Sequence, residues 1–457
     1  MANQSHTQEK NLMQSPVALS MGTILLYNMA GFAFNLYDTV LYAWLPYFYA
    51  PPESTGKLQY VSLTVFGVIL MLGRILDAVT DPLIGYWSDR TRTRWGRRKP
   101  FIFVSGPILF LTFILVWTPP VQGISLLNGV YLGAILFFYY WAYTGLLIPW
   151  LATVPELSQE NAGRVKIISV GIVIGIIGAM VGGGLSGPLL EMSSPLVMAA
   201  VLGAVAFVAS ELTLLGVKEN YSPPESAPPD NEKGFFTTWK KVFIDKHVLS
   251  FSAMIMMVQM TYQLMLMNVP YMTTLILKRN ESDASLLMGE IILLMALSTP
   301  VWYMLLKKYP KRWVMRVIIL LMALGFVASF YIGSLPGLSP MTQALFILPV
   351  AALPMGGMFT ASLALISDLT DYGELKHGAR TEAIYFGIYG IVRKAGWAVC
   401  SLILTYTLTR FGYSVENPLG VRMIWIICAG CCVAGLLLFI PYRIGDSKSQ
   451  TQEMIRS

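Results

Sequence analysis

Residues 74–82 read RILDAVTDP and lie inside an apolar run that extends from about residue 60 to residue 87. The charged side chains Arg74, Asp77 and Asp81 follow one another at spacings of three and four residues, so a helix places all three on one face. A run of this length can cross a bilayer. A single charge at that depth costs about 2.5–3.5 kcal/mol on insertion scales, so this face must pack against other helices. The stretch therefore predicts a bundle of transmembrane helices.

The composition supports a membrane protein along the whole chain. Hydrophobic residues make up 55% and charged residues only 12%, whereas about a quarter of the residues in soluble proteins are charged. Runs of about 20 apolar residues occur at about 22–49, 60–87, 100–118, 126–153, 166–189, 196–216, 248–277, 285–306, 313–334, 343–366, 382–408 and 423–442. We therefore predict an all-α membrane protein with twelve transmembrane helices.

The twelve runs divide into two sets of six. The polar segment 218–246 contains SPPESAPPD and has too little apolar surface to fold alone. It separates an N-terminal six-helix bundle, 1–217, from a C-terminal bundle with a short tail, 247–457. A basic turn follows both the second and the eighth run. Two similar halves fit the parallel repeat of the major facilitator architecture, in which the solute site lies near the midplane.

The distribution of charge predicts the orientation and argues against several classes of protein. The net charge is +7, and about 23 of the 32 Lys and Arg fall in alternate loops that include both termini. Both termini are thus expected in the cytoplasm of a plasma (inner) membrane protein, with basic loops contacting lipid and no nucleic acid. No phosphate-binding Gly-rich motif, HExxH or GxSxG occurs in the polar loops. We therefore expect neither an enzyme nor a bound cofactor.

The second helix predicts a cation site. Asp77, Asp81 and the Thr80 hydroxyl offer hard oxygen ligands on one face, and Pro82 frees a backbone carbonyl. We expect these groups to bind Na⁺ or a transported H⁺, the coupling ion. The alternative is a static network in which Arg74 and a basic residue of another helix neutralise both carboxylates.

The eleventh helix carries Arg393 and Lys394 without an acidic neighbour. We expect Lys394 to pair with the carboxylates of the second helix, so that cation binding loosens a contact between the halves. A fixed ion pair is the alternative. Arg393 points about 100° away and is expected to face lipid or to be structural.

A candidate solute site surrounds Asp38, a third acid in an apolar run, which lies among aromatic and amide side chains. Such a mixture suits a solute with hydroxyl groups and a flat apolar face. A hydrogen bond that packs two helices is the alternative for Asp38. The residues expected to bind solute are Asn35, Asp38, Tyr42, Tyr143, Trp150 and Phe359.

Three motifs carry a resemblance to a known family. They are DAVTDPLIG (77–85) followed by DRTRTRWGRRKP (89–100), then YT (143–144) with IP (148–149) and VP (154–155), and finally DLTDYGELKHGARTE (368–382) with Lys394 downstream. In these motifs the chain resembles the glycoside-pentoside-hexuronide:cation symporters, the melibiose permease group of the major facilitator superfamily. The resemblance implies cation-coupled symport by alternating access.

The same resemblance implies roles for particular residues. The family's sodium site falls on Asp77, Thr80, Asp81 and Thr144, and the lysine facing that site falls on Lys394. The two loop motifs resemble a cytoplasmic gate with exchanging ion pairs, comprising Arg94, Arg97, Arg98, Asp368, Asp371, Glu374 and Arg380. The alternative for the gate is a set of solvated loop charges, each contributing little.

The chain departs from the pattern at the sugar site. Leu147 stands where the family has a helix-four carboxylate, and Ile172 aligns with its helix-five arginine. The preferred solute is a sugar or glycoside, and an amphipathic, lipid-like solute is the alternative. A receptor on the same fold that does not transport is a further alternative. We expect the protein to be a monomer.

Overall fold

The computed structural model describes residues 19–158, 160–217, 219, 242–377, 382–445 and 452. Each predicted apolar run carries a helix. The helices are α1 (in two segments, Met21–Tyr27 and Met29–Tyr49), α2 (Leu63–Arg90), α3 (Lys99–Leu115), α4 (Leu126–Ala152), α5 (Asn161–Met192), α6 (Pro195–Gly216), α7 (Lys246–Leu275), α8 (Glu281–Lys308), α9 (Lys311–Phe330), α10 (Pro340–His377), α11 (Glu382–Phe411) and α12 (Leu419–Leu438).

Among the described residues, ten of these helices are long and apolar enough to cross a membrane. The other two are α1, which carries several polar residues, and α3, a shorter apolar helix of 17 residues. One boundary differs from the expectation. The motif expected to form a loop from residue 368 continues α10 as far as His377. Apolar patterning marks only the part of a helix that lies in lipid, so a polar extension leaves no hydropathy signal.

The two faces of α2 show how the sequence pattern becomes packing. Leu72 and Val79 are exposed on one face, whereas Gly73, Asp77 and Thr80 are buried on the other. An apolar face turned outward and a polar face turned inward is the reverse of a soluble helix, because lipid is the solvent for the outer face. This arrangement positions the charged face of α2 inside the bundle.

Among the described residues, the main contacts between the two halves are α2 with α11, α5 with α8, and α1 with α7. The α2–α11 contact is close, since the Ser401 hydroxyl donates to the Gly67 carbonyl at 3.0 Å. A Cβ atom at Gly67 would lie only 2.3 Å from the Thr405 hydroxyl oxygen. Glycine at this position therefore allows α11 to approach the charged face of α2.

Polar contacts also join the halves at the end of the bundle that holds the α1–α2 connection. Lys57 forms an ion pair with Glu281 of α8. The Gln59 amide donates to the Tyr413 hydroxyl at 3.1 Å. We call this the outer end, because the sequence predicts the α1–α2 loop outside the cell.

Candidate cation and solute site

Asp77 lies at the centre of a buried cluster of charges. Its side chain is 0% exposed, and Arg74, one turn earlier on α2, donates from Nη1 to Asp77 Oδ2 at 3.0 Å. Asp81, one turn later, keeps a quarter of its side chain accessible to water. The spacing of three and four residues therefore brings these groups together on the inner face of α2.

Lys394 of α11 joins this cluster from the other half of the chain. Its Nζ atom lies 2.7 Å from Asp81 Oδ2 and 3.1 Å from Asp77 Oδ2. The lysine side chain is only 8% exposed. A single ammonium group thus lies between the two carboxylates and links α2 to α11.

Two hydroxyl groups complete the oxygen-rich side of the cluster. Thr144 Oγ1 of α4 lies 3.0 Å from Asp77 Oδ1 and 3.3 Å from Asp81 Oδ1. The Thr80 hydroxyl lies 3.3 Å from that of Thr144 and 3.1 Å from the Asp77 carbonyl oxygen. Carboxylate, hydroxyl and carbonyl oxygens are the ligands preferred by hard cations. The four residues assigned to the cation site by resemblance are therefore adjacent in space.

Arg74 is held by aromatic rings as well as by carboxylates. Its guanidinium carbon lies 4.4 Å from the ring centre of Tyr42, 5.0 Å from Tyr140 and 5.2 Å from Trp397. Its Nη2 atom lies 3.8 Å from Asp38 Oδ1. Cation–π contacts of this kind stabilise a desolvated charge by about 2 kcal/mol. Sequence reasoning missed Tyr140 and Trp397, because their proximity to Arg74 depends on helix packing.

The charges of this cluster do not cancel. Three carboxylates, those of Asp38, Asp77 and Asp81, contact two basic groups, Arg74 and Lys394. With all five groups ionised, the cluster has one negative charge more than positive. Since isolated charges are costly in a low-dielectric environment, this cluster favours one additional monovalent cation.

The proposed solute-binding residues of α1 line a water-accessible space. Asp38 is 23% exposed and accepts a hydrogen bond from the Tyr143 hydroxyl at 2.8 Å. Asn35, one turn earlier, is exposed, and its amide donates to the Gly31 carbonyl at 2.8 Å. The two polar groups are thus accessible although most side chains of the second segment of α1 are buried.

Trp150 and Phe359 lie in different surroundings. The Trp150 indole N–H donates to the Tyr27 carbonyl at 2.9 Å, and the two rings stack at 5.6 Å. This hydrogen bond holds α4 against α1. Because it uses the indole N–H, Trp150 can offer a solute only the face of its ring. Phe359 of α10 makes an edge contact with Tyr262 of α7 at 5.5 Å. Phe359 therefore belongs to the C-terminal half of the bundle.

Of the two alternatives expected for Arg393, facing lipid or being structural, the first is wrong. Its guanidinium carbon lies 4.9 Å from the Trp397 ring centre and 5.9 Å from that of Tyr389. The residues of α11 that are exposed to lipid, such as Ile391 and Val399, occupy the opposite face. The rotation of about 100° from Lys394 turns Arg393 toward the space between the halves. The packing of α11 against other helices determines whether this rotation turns Arg393 toward lipid or toward the space between the halves.

At the end of the bundle opposite the outer end, Arg97 and Arg98 of the α2–α3 turn contact an acidic residue of their own half. Glu156 lies 2.6 Å from Arg97 Nη2 and 2.7 Å from Arg98 Nη1. Arg98 also contacts Asp89 at 3.0 Å. Arg94 is exposed. Sequence reasoning did not identify Glu156, although it follows the VP pair used for the resemblance.

The acidic members of the expected gate lie on the extension of α10. Asp368 pairs with Lys311 of α9, with 2.5 Å between Nζ and Oδ1. Asp371 and Glu374 are partly buried on the same helix. Arg380 lies outside the described residues. The contact between Asp368 and Lys311 stays within the C-terminal half, as the contacts of Glu156 stay within the N-terminal half.

Comparison with known proteins agrees with this architecture. The family model described as "MFS/sugar transport protein" matches residues 26–446. The glucuronide carrier protein homolog of Escherichia coli is 23% identical, covering 94% of both chains. The isoprimeverose transporter of Lactiplantibacillus pentosus is 22% identical over 90% of this chain and 86% of its own. The sodium-dependent lysophosphatidylcholine symporter 1 of Gallus gallus is 23% identical over 87% and 85%, respectively.

A solved structure shows the same fold. The crystal structure of the nucleoside transporter NupG superposes with a TM-score of 0.64 at 14% identity, covering 92% of this chain and 98% of that one. The chain belongs to the MFS/sugar transport protein family. It is an integral, multi-pass membrane protein and a solute symporter of the major facilitator superfamily. The resemblance seen in the sequence motifs is thereby confirmed.

Proposed function

We propose that this protein couples the entry of Na⁺ or H⁺ to the uptake of a small organic solute by alternating access. Twelve helices, including α1 and α3, cross the plasma (inner) membrane and place both termini in the cytoplasm. The halves 1–217 and 247–457 move about the linker 218–246 in a monomer. The protein is not an enzyme, and its only cofactor is the coupling ion. One observation carries this proposal, the Lys394 ammonium of one half held between two carboxylates of the other.

The coupling ion binds between Asp77 and Asp81, with Thr144 and Thr80 as further oxygen ligands. A cation at this position repels the Lys394 ammonium, which lies 2.7 Å and 3.1 Å from the same two carboxylates. Binding therefore weakens an ion pair that joins α2 to α11. Arg74 stays with Asp77 and continues to balance one negative charge. This competition supplies a physical link between cation binding and movement of the halves.

The hydroxyl ligands favour Na⁺ over H⁺ as the coupling ion. A proton needs only one carboxylate, whereas Na⁺ needs several oxygen ligands, and Thr144 lies within 3.3 Å of both carboxylates. Asp81 is accessible to water, so an ion can reach the cluster. Similarity to a symporter named as sodium-dependent also supports this choice.

The present conformation is proposed to face the cytoplasm. Lys57 and Glu281 seal the outer end across the halves, whereas Arg98 is bound by Glu156 and Asp89 of its own half. We propose that closure of the cytoplasmic end brings the basic residues of the α2–α3 turn to the acidic side chains on the extension of α10. The gate residues then exchange partners during each transport cycle.

The solute is proposed to be a sugar or glycoside bound between the halves, against Asn35, Asp38 and Tyr143 on one side and Phe359 on the other. Relatives named as carriers of isoprimeverose and glucuronide favour this class. An amphipathic, lipid-like solute is the alternative, because Leu147 and Ile172 replace two charged binders of hydroxyl groups. Similarity to a lysophosphatidylcholine symporter favours that alternative.

The cation site is tested with purified protein and with sealed vesicles. NaCl, compared with choline chloride, is expected to raise the Tm of the wild type and not that of Asp77→Asn or Asp81→Asn. Both variants are expected to remain folded and to lose cation-dependent uptake. Asp283→Asn, at the first turn of α8, is the matched control and should behave as the wild type.

Each outcome of this experiment decides a separate point. Unchanged cation-dependent uptake in Asp77→Asn or Asp81→Asn would exclude the assigned site. Stabilisation by H⁺ but not Na⁺ would identify the other coupling ion. Binding of a solute without accumulation in vesicles would identify a receptor on the same fold.

A further inference from the structure

Arg393 occupies the inward face of α11, where the proposed function gives it no role. Arg393 and Trp397 are one turn apart, and the Trp397 ring also contacts Arg74 of the other half. The lipid-exposed residues Ile391, Ala395 and Val399 lie on the opposite face of the helix. Arg393 therefore lies beside the space between the halves.

Within the part of the chain that the structure describes, no carboxylate lies within ion-pair distance of Arg393. Its Nε atom is buried and has no hydrogen-bond partner among these residues. The groups in contact with its guanidinium are the rings of Trp397 and Tyr389. Charged side chains inside a membrane protein usually pair or bind a ligand, because an isolated charge is costly there. An anion from outside the chain would satisfy this guanidinium.

The charges of the whole site point in the same direction. The coupling cation neutralises the one excess negative charge of the cluster formed by Asp38, Asp77, Asp81, Arg74 and Lys394. The positive charge of Arg393 beside this cluster then remains uncompensated. A neutral solute leaves that charge uncompensated, whereas a solute with one negative charge restores neutrality.

We propose that Arg393 binds an anionic group, a carboxylate or a phosphate, on the transported solute. The planar guanidinium can form two parallel hydrogen bonds to either oxyanion, and the Trp397 and Tyr389 rings flank the adjoining part of the solute. This inference rests on the proposed function and names its substrate class, a monoanionic organic solute.

The test uses matched pairs of probes that differ only in the anionic group. Phenyl β-D-glucuronide and phenyl β-D-glucoside form the carboxylate pair. A lysophosphatidic acid and the monoacylglycerol with the same acyl chain form the phosphate pair. Binding to the full-length purified protein is measured by thermal shift and by titration in 100 mM NaCl. The anionic member of one pair is expected to bind the wild type at least about tenfold more tightly than its neutral partner.

Variants at Arg393 separate charge from structure. Arg393→Gln is expected to lose the preference for the anionic probe, and Arg393→Lys is expected to retain part of it. Arg410→Gln is the matched control, because Arg410 lies on the same helix and is exposed. Stabilisation by Na⁺, which depends on Asp77, should persist in all three variants.

The outcomes distinguish this inference from the proposed function. Persistent Na⁺ stabilisation with equal binding of anionic and neutral probes, or with no binding of either anionic probe, would overturn the role of Arg393 alone. An anion preference that survives in Arg393→Gln would also overturn it. If Na⁺ does not stabilise the wild type either, the result instead contradicts the proposed function. A preference confined to one pair identifies the carboxylate or the phosphate as the recognised group.

Discussion

In the described part of the chain, two lysine–carboxylate ion pairs join the halves, one in the middle of the bundle and one at its outer end. The inner pair holds Lys394 between Asp77 and Asp81, with the lysine only 8% exposed. The outer pair joins Lys57 to Glu281, and this lysine is 50% exposed. Both pairs join a lysine ammonium group to a carboxylate, and they differ in how much of the lysine side chain is accessible to water.

That difference determines what each pair can do. Removing one partner of a buried pair leaves an uncompensated charge and costs about 3–5 kcal/mol, whereas an exposed pair contributes about 0–1 kcal/mol. The inner pair can therefore couple a bound cation to the arrangement of the halves. The outer pair can break and form again in each cycle at little cost. Single substitutions test this contrast, from the largest expected effect to the smallest.

Lys394→Gln should have the largest effect. Without the ammonium group, Asp81 loses its ion pair and Asp77 keeps only Arg74, so we expect a loss of about 3–5 kcal/mol of stability in Na⁺-free buffer. Na⁺ should restore much of the lost stability, because in this variant it does not compete with an ammonium group for the two carboxylates. Thermal unfolding with NaCl or choline chloride measures both effects. Lys308→Gln, at the exposed end of α8, is the control. A Na⁺-induced shift no larger than that of the wild type would contradict the proposed competition.

Thr144→Val should weaken cation binding without breaking an ion pair. The substitution keeps the shape of the side chain and removes the oxygen that lies 3.0 Å from Asp77 and 3.3 Å from Asp81. Because a hydrogen bond or ligand to a charged group contributes about 1.5–3 kcal/mol, apparent Na⁺ affinity should fall at least about tenfold. Thr112→Val is the control, since the Thr112 hydroxyl bonds only to carbonyls of its own helix. Equal Na⁺ affinity in both variants would exclude Thr144 as a ligand.

Asp245 forms a lysine–carboxylate pair with Lys376 that stays within the C-terminal half. It caps α7 through the His247 amide at 2.9 Å and accepts from Lys376 at 2.5 Å and from Tyr372 at 2.9 Å. Burial raises the pKa of Asp245, but these hydrogen bonds outweigh burial and leave that pKa below its usual range. Asp245→Asn should cost about 1–2 kcal/mol at neutral pH.

The pH dependence of this variant follows from the sign of the shift. The contribution of a carboxylate with a lowered pKa is complete above its unfolded value of about 3.9 and is lost as the pH falls through the folded value. The Tm difference between wild type and Asp245→Asn should therefore be constant from pH 7 to pH 5 and narrow below about pH 4. A difference that already disappears between pH 7 and pH 5 would contradict this account.

Lys57→Gln should have the smallest effect on stability. We expect the free energy of unfolding, measured by thermal unfolding, to change by less than about 1 kcal/mol. A double-mutant cycle with Glu281→Gln should give a coupling energy of similar size. High salt should abolish the coupling, because exposed charges are screened. A coupling above about 2 kcal/mol would show that the outer pair is as strong as the inner one.

The sequence predicted much of the fold, because hydropathy is a local property. Each apolar run carries a helix, and the spacing of Arg74, Asp77 and Asp81 placed them on one face of α2. One prediction failed and one question stayed open where no local signal exists. The polar extension of α10 to His377 carries no hydropathy pattern, and the direction of Arg393 depends on which face of α11 turns inward.

By itself, the sequence determined a membrane bundle with a charged face on α2, since a helix of known period converts spacing into position. Only the tertiary structure decided that Lys394 lies between Asp77 and Asp81, that Arg74 reaches Asp38, and that Arg393 faces the space between the halves. These contacts join residues of different helices, in the case of Lys394 and Asp81 more than 300 positions apart. Their geometry follows from how the helices pack, for which the spacing along one helix carries no information.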